Sequence, residues 1–411
     1  MSAPIIVVER SRWRGPLASP SYRLLVTAQT VNSFGGGITP VALAFAVLDL
    51  GGSATQLGLV VAAFSAAEVA TTLFGGVLGD RVSRAVMLQG SNTVSALVQA
   101  LTAASLIGGW SSLWLLGLLG AVAGCVSALG GPSSQAITQQ TVPPEQLPAA
   151  ISLRRIGQNT AVALGFSVAG VLVATFGSGW AIGIDAATYA FAALCFALLR
   201  VPPLPAPVRE SMLVGLRSGA AEVFRHAWLW VLIAQALVYH LFYGGAQGVL
   251  GPFVVKRHYG EAAWGWALGA LMVGFIVGGV VTLRFRPRRS LFAGTVMLAL
   301  TAAFPLALAL HPALPLLLAG AFLHGFGLEI FSVFWDLSIQ QNVDPSKLSR
   351  VYSFDTVGSF VMRPLGLAVT GVVAQATGYS AWLLVIAAAM FGATLIALLV
   401  PSVRRLERRV D

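Results

Sequence analysis

The sequence predicts an all-α membrane protein, with twelve transmembrane helices arranged as two six-helix bundles that repeat each other in parallel. Three observations carry this. Apolar residues make up 57% of the 411-residue chain and charged residues only 10%. Ordinary globular proteins carry about 25% charged residues, and so low a content cannot cover a water-facing surface of this size. The apolar residues also gather into twelve runs of spanning length, where about 20 residues in a helix cross the ~30 Å hydrocarbon core. Finally, the second half of the chain echoes the first.

Charge clusters and turn residues divide the runs, which lie near 22–48, 55–79, 86–107, 111–136, 150–176, 180–199, 227–253, 263–283, 290–310, 313–341, 351–376 and 380–401. Backbone groups in lipid must be paired within their own segment, so each run is expected as a helix. The short alternating segments of a membrane β-barrel are absent. No cleavable signal peptide is expected, because residues 1–21 are basic and the first apolar run starts after them.

Alternating the spans from a cytoplasmic N-terminus places 22 of the 25 Lys and Arg residues inside. Lys256 and Arg257 fall outside and Arg363 falls within a span. This asymmetry predicts cytoplasmic termini in a plasma (bacterial inner) membrane. It also explains the net charge of +10 as topology rather than as a nucleic-acid surface. The longest polar stretch, 200–226, opens with Pro202, Pro203, Pro205 and Pro207 and continues through Arg209, Arg217, Glu222 and Arg225. It reads as a cytoplasmic linker with an amphipathic helix on the membrane surface. It separates a bundle over 1–199 from one over 227–411.

Shifting the chain by 201 residues aligns 139–177 with 340–378, without gaps, at 13 of 39 positions. Among the matches are Gly157/Gly358, Gly165/Gly366, Gly170/Gly371 and Gly177/Gly378. Repeated glycines matter because helices approach closely only where side chains are small. With six spans per half, the repeats run parallel, related by an axis along the membrane normal.

Several chemistries are excluded. Lys256 and Lys347 are the only lysines and neither follows a glycine, so there is no phosphate-binding GxxxxGK loop and no basis for ATP hydrolysis. Cys125 and Cys195 lie in apolar runs with no CxxC or HExxH motif, which predicts no metal, no cofactor and no disulfide. No acid–histidine–nucleophile set occurs at matching depths, so an enzyme is not expected.

The loop after span two reads GVLGDRVSRAVML from Gly76 to Leu88. It resembles the signature loop of the major facilitator superfamily, GxLaDrxGrkxxl, with Gly76, Leu78, Asp80, Arg81, Arg84 and Leu88 matching, Ser83 replacing a glycine and Ala85 a basic residue. Within that superfamily the stretch QQTVPPEQLPAAISL entering span five is similar to the macrolide-efflux and enterobactin-exporter branch. The span-five antiporter pattern is degraded to AVALGFSVAG, with Phe166 where the proline stands. The resemblance implies a monomeric secondary transporter whose spans one, four, seven and ten line a cavity. It also implies that Gly76, Asp80, Arg81 and Arg84 form a conformational latch, with Asp80 facing the start of span eleven near Ser349–Ser353. A carboxylate near a helix N-terminus is worth about 0.3–1 kcal/mol.

Ionisable residues inside a membrane are costly and by default functional. Glu68, Glu329 and Arg363 fall near the midplane of spans two, ten and eleven, so an Arg363–Glu68 or Arg363–Glu329 pair is expected. Phe322, Phe326, Glu329, Val333, Asp336 and Gln340 recur at spacings of three and four and share a helix face. Glu68, Glu329, Asp336, Arg363 and Asp185 are the proton-coupling candidates, with Asp185 and Asp49 near outer ends, where an interfacial role competes. Gln29, Asn32 and Phe34 in span one, Tyr239, His240 and Tyr243 in span seven, and Phe322 and Phe326 are the cavity candidates. Both spans add softening glycines and a proline, Gly35–Gly37 with Pro40 and Gly244–Gly245 with Pro252. The expected function is proton-coupled efflux of a small apolar or amphipathic compound by alternating access. Nutrient uptake on the same fold is the alternative, and a membrane receptor or enzyme the distant third.

Overall fold

A computed structural model describes residues 14–79, 84–201, 220–285, 287–344 and 347–407, and these residues are helical apart from short connections. The first six long helices are α1 (Pro20–Asp49), α2 (Ala54–Gly79), α3 (Arg84–Ile107), α4 (Leu113–Ala136), α5 (Leu147–Phe176) and α6 (Ser178–Leu198). The second six begin with α7, built from Ala227–Gly245, a π-helical segment Ala246–Leu250 and Gly251–Tyr259. Next come α8 (Glu261–Arg284), α9 (Ser290–Leu298 and Ala303–Leu310 joined by a 3-10 turn) and α10 (Leu314–Asn342). The last two are α11 (Leu348–Phe360 and Arg363–Thr377) and α12 (Tyr379–Leu399).

Local chemistry sets several boundaries. Ser19 caps α1 by accepting from the Tyr22 amide at 3.2 Å, with Pro20 in the first turn. Gly177 and Gly378, one repeat apart, turn the chain between α5 and α6 and between α11 and α12 at φ +85° and +96°, a region that favours glycine. Span seven runs six residues beyond its expected end at 253: a π segment over Ala246–Leu250 passes Gly248, and an α-helical segment with Pro252 in its first turn continues from Gly251 to Tyr259. Span eleven breaks at Val361–Met362. Pro364 has no N–H to offer the Phe360 carbonyl and so disfavours a continuous helix there.

Eleven of these helices, among the described residues, are long and apolar enough to cross a membrane. The exception is α3, equally long but carrying Gln89, Ser91, Asn92, Thr93, Ser95, Gln99, Thr102 and Ser105. Large apolar side chains such as Trp114, 91% exposed, point outward, an arrangement suited to lipid rather than water. The protein is therefore a multi-pass membrane protein.

Helices pack mainly with others of their own half: α3 on α6, α2 on α4, and α1 on α5 and α6; α8 on α10, α9 on α10 and α12, and α7 on α11 and α12. Two seams join the halves, α5 against α8 and α2 against the second segment of α11. Each seam is built on a repeated glycine. A Cβ on Gly170 would lie 2.8 Å from the Glu261 carbonyl oxygen, and one on Gly371 2.6 Å from the Ala54 carbonyl carbon. Backbone thus meets backbone at equivalent places in both halves.

Of the linker, residues 202–219 lie outside the described residues. Residues 220–225 form a short helix whose Glu222 accepts from Lys347 Nζ at 2.9 Å, with Arg225 at 3.4 Å. The Lys347 ammonium holds the Glu222 carboxyl below the usual carboxylate range. The contact ties the linker to the segment between α10 and α11.

Candidate functional site: a cavity between the two halves

The polar face of α3 marks the site. Ser91, Asn92, Ser95, Gln99 and Thr102 follow one another at steps of one, three, four and three residues, which puts them on one side of a helix. All five line a cavity of about 500 Å³, within the range of small-molecule sites. Other walls come from Gln29, Asn32, Ser33 and Thr39 of α1, Phe64 of α2 and Ser127 and Ser134 of α4. Phe166 of α5 and Tyr189 of α6 continue the lining, and the second half adds Gln247, Trp264, Arg363 and Leu367.

Three helices converge on Asp185, which lines the cavity yet is only 1% exposed. Thr39 Oγ1 of α1 donates to Oδ2, Gln99 Nε2 of α3 donates to the same oxygen at 2.8 Å, and Thr188 Oγ1 of α6 reaches Oδ1 at 3.2 Å. Every one of these partners is neutral. A carboxylate held away from water by hydrogen bonds, with no cation to compensate it, is a costly feature to keep without a use.

One face of the molecule is sealed. The α5–α8 and α2–α11 seams lie near residues 166–170 with 261–269 and 54–58 with 367–371, next to the turns at Gly177, Gly260 and Gly378. At the rim Lys256 of α7 forms ion pairs with Asp49 of α1 and, at 2.8 Å, with Glu261 of α8. Tyr259 donates to the Pro312 carbonyl beside them. Toward the face that carries both chain ends, among the described residues, the first segment of α11 packs mainly on α7. The Lys256 rim closes the cavity toward the opposite face.

The sequence-derived candidates scatter. Gln29 and Asn32 line the cavity, as do Asp185 and Arg363. Phe34 instead packs with Phe166 against the apolar core. Tyr239 and Tyr243 are buried inside the second half, where Tyr239 OH donates to His324 Nε2 at 2.8 Å and Tyr243 stacks on the His324 ring at 4.1 Å. His324 Nδ1 in turn donates to the Thr301 carbonyl at 2.6 Å. His240 donates to the Ala236 carbonyl at 2.8 Å and packs, tilted by 42°, against the Phe360 ring at 4.0 Å. Phe322 and Phe326 stack 6.0 Å apart, with their backbone laid on Gly274 of α8.

The two acids of the expected ion pairs face other groups instead. Glu68 accepts from Ser127 at 3.0 Å across the α2–α4 contact. Glu329 packs on Gly278 of α8 and, with Asp336, faces Arg155 of α5 electrostatically. Arg363 pairs with neither acid; its stem lies against Gly244, where a Cβ would come within 3.2 Å of Arg363 Cγ. Asp185 is not interfacial but sits in the polar network just described. Asp80 and Arg81 of the expected latch lie outside the described residues, as does the side-chain setting of Gly76 and Arg84. What the sequence reading missed was the polar side of α3, His324 and the serines of α4; the low apolarity of span three was the available signal.

A family model for the Major Facilitator Superfamily matches residues 25–282, more than half of the chain. The chain belongs to that superfamily. Among characterised relatives, it is 28% identical over 402 residues to the multidrug efflux pump Tap of Mycobacterium tuberculosis, covering 93% of this chain and 94% of that one. It is 26% identical over 386 residues to the enterobactin exporter EntS of Escherichia coli, covering 88% and 89%. Among solved structures it resembles the nucleoside transporter NupG, with a TM-score of 0.76 at 14% identity, covering 92% of this chain and 98% of that one. It also resembles a bacterial homologue of the iron transporter ferroportin, with a TM-score of 0.72 at 16% identity, covering 92% and 97%. These structural likenesses, at such identities, establish the fold of this superfamily transporter and nothing of its cargo.

Proposed function

We propose that this transporter exports a small apolar or amphipathic compound by alternating access, driven by protons entering in exchange. The observation that carries the reading is a chamber between two repeated bundles, sealed at the Lys256 rim, whose lining among the described residues holds one buried carboxylate, Asp185. With both termini in the cytoplasm, the described conformation opens inward. Substrate enters from that side and settles against the polar wall of α1, α3 and α6. The halves rock, the outer seams part, and the chamber opens outward. A proton from outside then adds to a carboxylate oxygen of Asp185 and rearranges the Thr39 and Gln99 contacts that help hold the substrate. Return to the inward state delivers the proton to the cytoplasm. The two relatives named as efflux pump and exporter support the direction.

The test is efflux from proteoliposomes under an imposed pH gradient, with tetramethylrhodamine methyl ester as probe. Asp185→Asn should abolish gradient-driven movement while leaving downhill exchange. Glu68→Gln and Glu329→Gln should retain it. Loss in either of those variants with retention in Asp185→Asn would move the proton site elsewhere. Absence of gradient-driven efflux in the unaltered protein would overturn the proposal.

A further inference from the structure

Arg363 stands in the cavity wall. Among the described residues it makes no hydrogen bond and no ion pair, and Tyr239, Tyr243 and His240 of α7 are among its electrostatic neighbours. The cavity's own carboxylate does not compensate it, because Asp185 is engaged by Thr39, Gln99 and Thr188. The arginine opens the helix segment Arg363–Thr377 just after the break at Val361–Met362, so the positive end of that helix adds to its charge. An arginine at membrane depth normally pairs with an acid or with backbone carbonyls, and its planar fork fits a carboxylate, sulfonate or phosphate with two parallel hydrogen bonds. The same cavity wall also carries Gln247 on the π segment of α7 and the apolar residues Phe64 and Leu367, the latter one turn beyond Arg363 on its own helix.

From this arrangement we infer that Arg363 is a binding site for the anionic group of an amphipathic substrate, whose apolar body lies along the apolar part of the cavity wall. The inference rests on the export reading and ranks compounds carrying an acidic group, including zwitterions whose cationic part faces Asp185, above otherwise similar cargo that lacks one. Two sources share this chemistry, a soluble organic acid and the headgroup of an anionic lipid.

The test is binding to the purified full-length protein in neutral detergent, read by fluorescence anisotropy. The probes are tetramethylrhodamine, which bears a free carboxylate, and its methyl ester, which has the same ring system without it. The acid should bind at least tenfold more tightly than the ester. Arg363→Gln should reduce that ratio to less than twofold while ester binding holds, and Arg363→Lys, which keeps the charge but loses the fork, should keep an intermediate ratio. Ester binding doubles as the fold check for both variants. Displacement of the acid by phosphatidylglycerol and not by phosphatidylcholine, lost in Arg363→Gln, assigns the site to lipid headgroups; no displacement assigns it to soluble acids. An unaltered protein that binds both probes alike, prefers the ester or binds neither overturns the inference, as does a full acid preference surviving in Arg363→Gln. Because no gradient enters the assay, its failure leaves proton-driven export standing, and failure of the liposome assay leaves this site standing.

Discussion

Gly371→Ala tests how the sealed face is held shut. The added Cβ would stand 2.6 Å from the Ala54 carbonyl carbon and 2.5 Å from the Thr55 amide nitrogen. Ordinary carbon contacts lie at about 3.5–4.0 Å, so α2 and α11 must separate locally by roughly 1 Å. Both obstructing atoms are backbone, so no rotamer change relieves the clash. Overpacking of this kind costs typically 1–3 kcal/mol. Because the contact joins the two halves only where they are closed, the cost falls on the sealed conformation and shifts its equilibrium with the opposite state by about 5- to 150-fold. Gly170→Ala in the companion seam should act in the same direction, its Cβ meeting the Glu261 carbonyl oxygen at 2.8 Å. Gly392→Ala on α12 is the control, with nothing within 4 Å of the new methyl. Spin labels at Leu50 and Arg257, in a background lacking Cys125 and Cys195, report the separation across the sealed rim by pulsed electron resonance. The unaltered protein should show mainly the short distance, both seam variants a new longer one, and the control no change. Folded seam variants with the unaltered distance distribution would refute the idea that these glycines hold the halves together.

Three further outcomes follow from the same geometry. Lys256→Gln, read with the same labels, should open the rim slightly, since half-exposed ion pairs contribute about 0.2–1 kcal/mol each; the shift should vanish in high salt, and a salt-independent shift would contradict the ion-pair account. Tyr239→Phe removes the donor to His324 Nε2 inside the second half, leaving a buried acceptor unpaired at a cost of about 1–3 kcal/mol, visible as a lower melting temperature with cavity binding unchanged. Glu222 has a depressed carboxyl pKa because Lys347 pairs with its charged form. Its contribution is therefore complete above the ordinary carboxylate range and lost as pH falls through the lower folded value. Protease accessibility of the linker should stay constant from neutral pH to about pH 5 and rise only below about pH 4, and in Lys347→Met it should already be raised at neutral pH.

Much of the fold was legible because lipid imposes simple rules. Span one was expected at 22–48 and α1 runs from Pro20 to Asp49; span ten was expected at 313–341 and α10 runs from Leu314 to Asn342. Run length reports the bilayer, and the glycines of the 201-residue repeat report close contact, which is why Gly170 and Gly371 reappear at the two seams. The site was less legible because hydropathy does not give the rotation of a helix about its axis. Tyr239 and Tyr243 sit one turn apart and looked like cavity residues, yet they face His324 within their own bundle. Glu68 and Arg363 share a depth but not a direction. Asp185, eight residues into α6, looked interfacial because depth was counted along the chain, whereas its partners Thr39 and Gln99 come from two other helices. Span three carried the clearest clue, since a membrane helix with so many Ser, Thr, Asn and Gln side chains must turn them toward something wet or polar.

The most direct test of two bundles rocking about a shared chamber is sided modification of a single cysteine at Ser33, a cavity-lining position on α1. With the protein oriented in liposomes, a membrane-impermeant maleimide should label Ser33→Cys from the face carrying the chain ends in the unaltered background. In the Gly170→Ala, Gly371→Ala double variant labelling should transfer to the opposite face. Labelling from the same face in both backgrounds, or from both faces at once, would contradict alternating access to one central cavity.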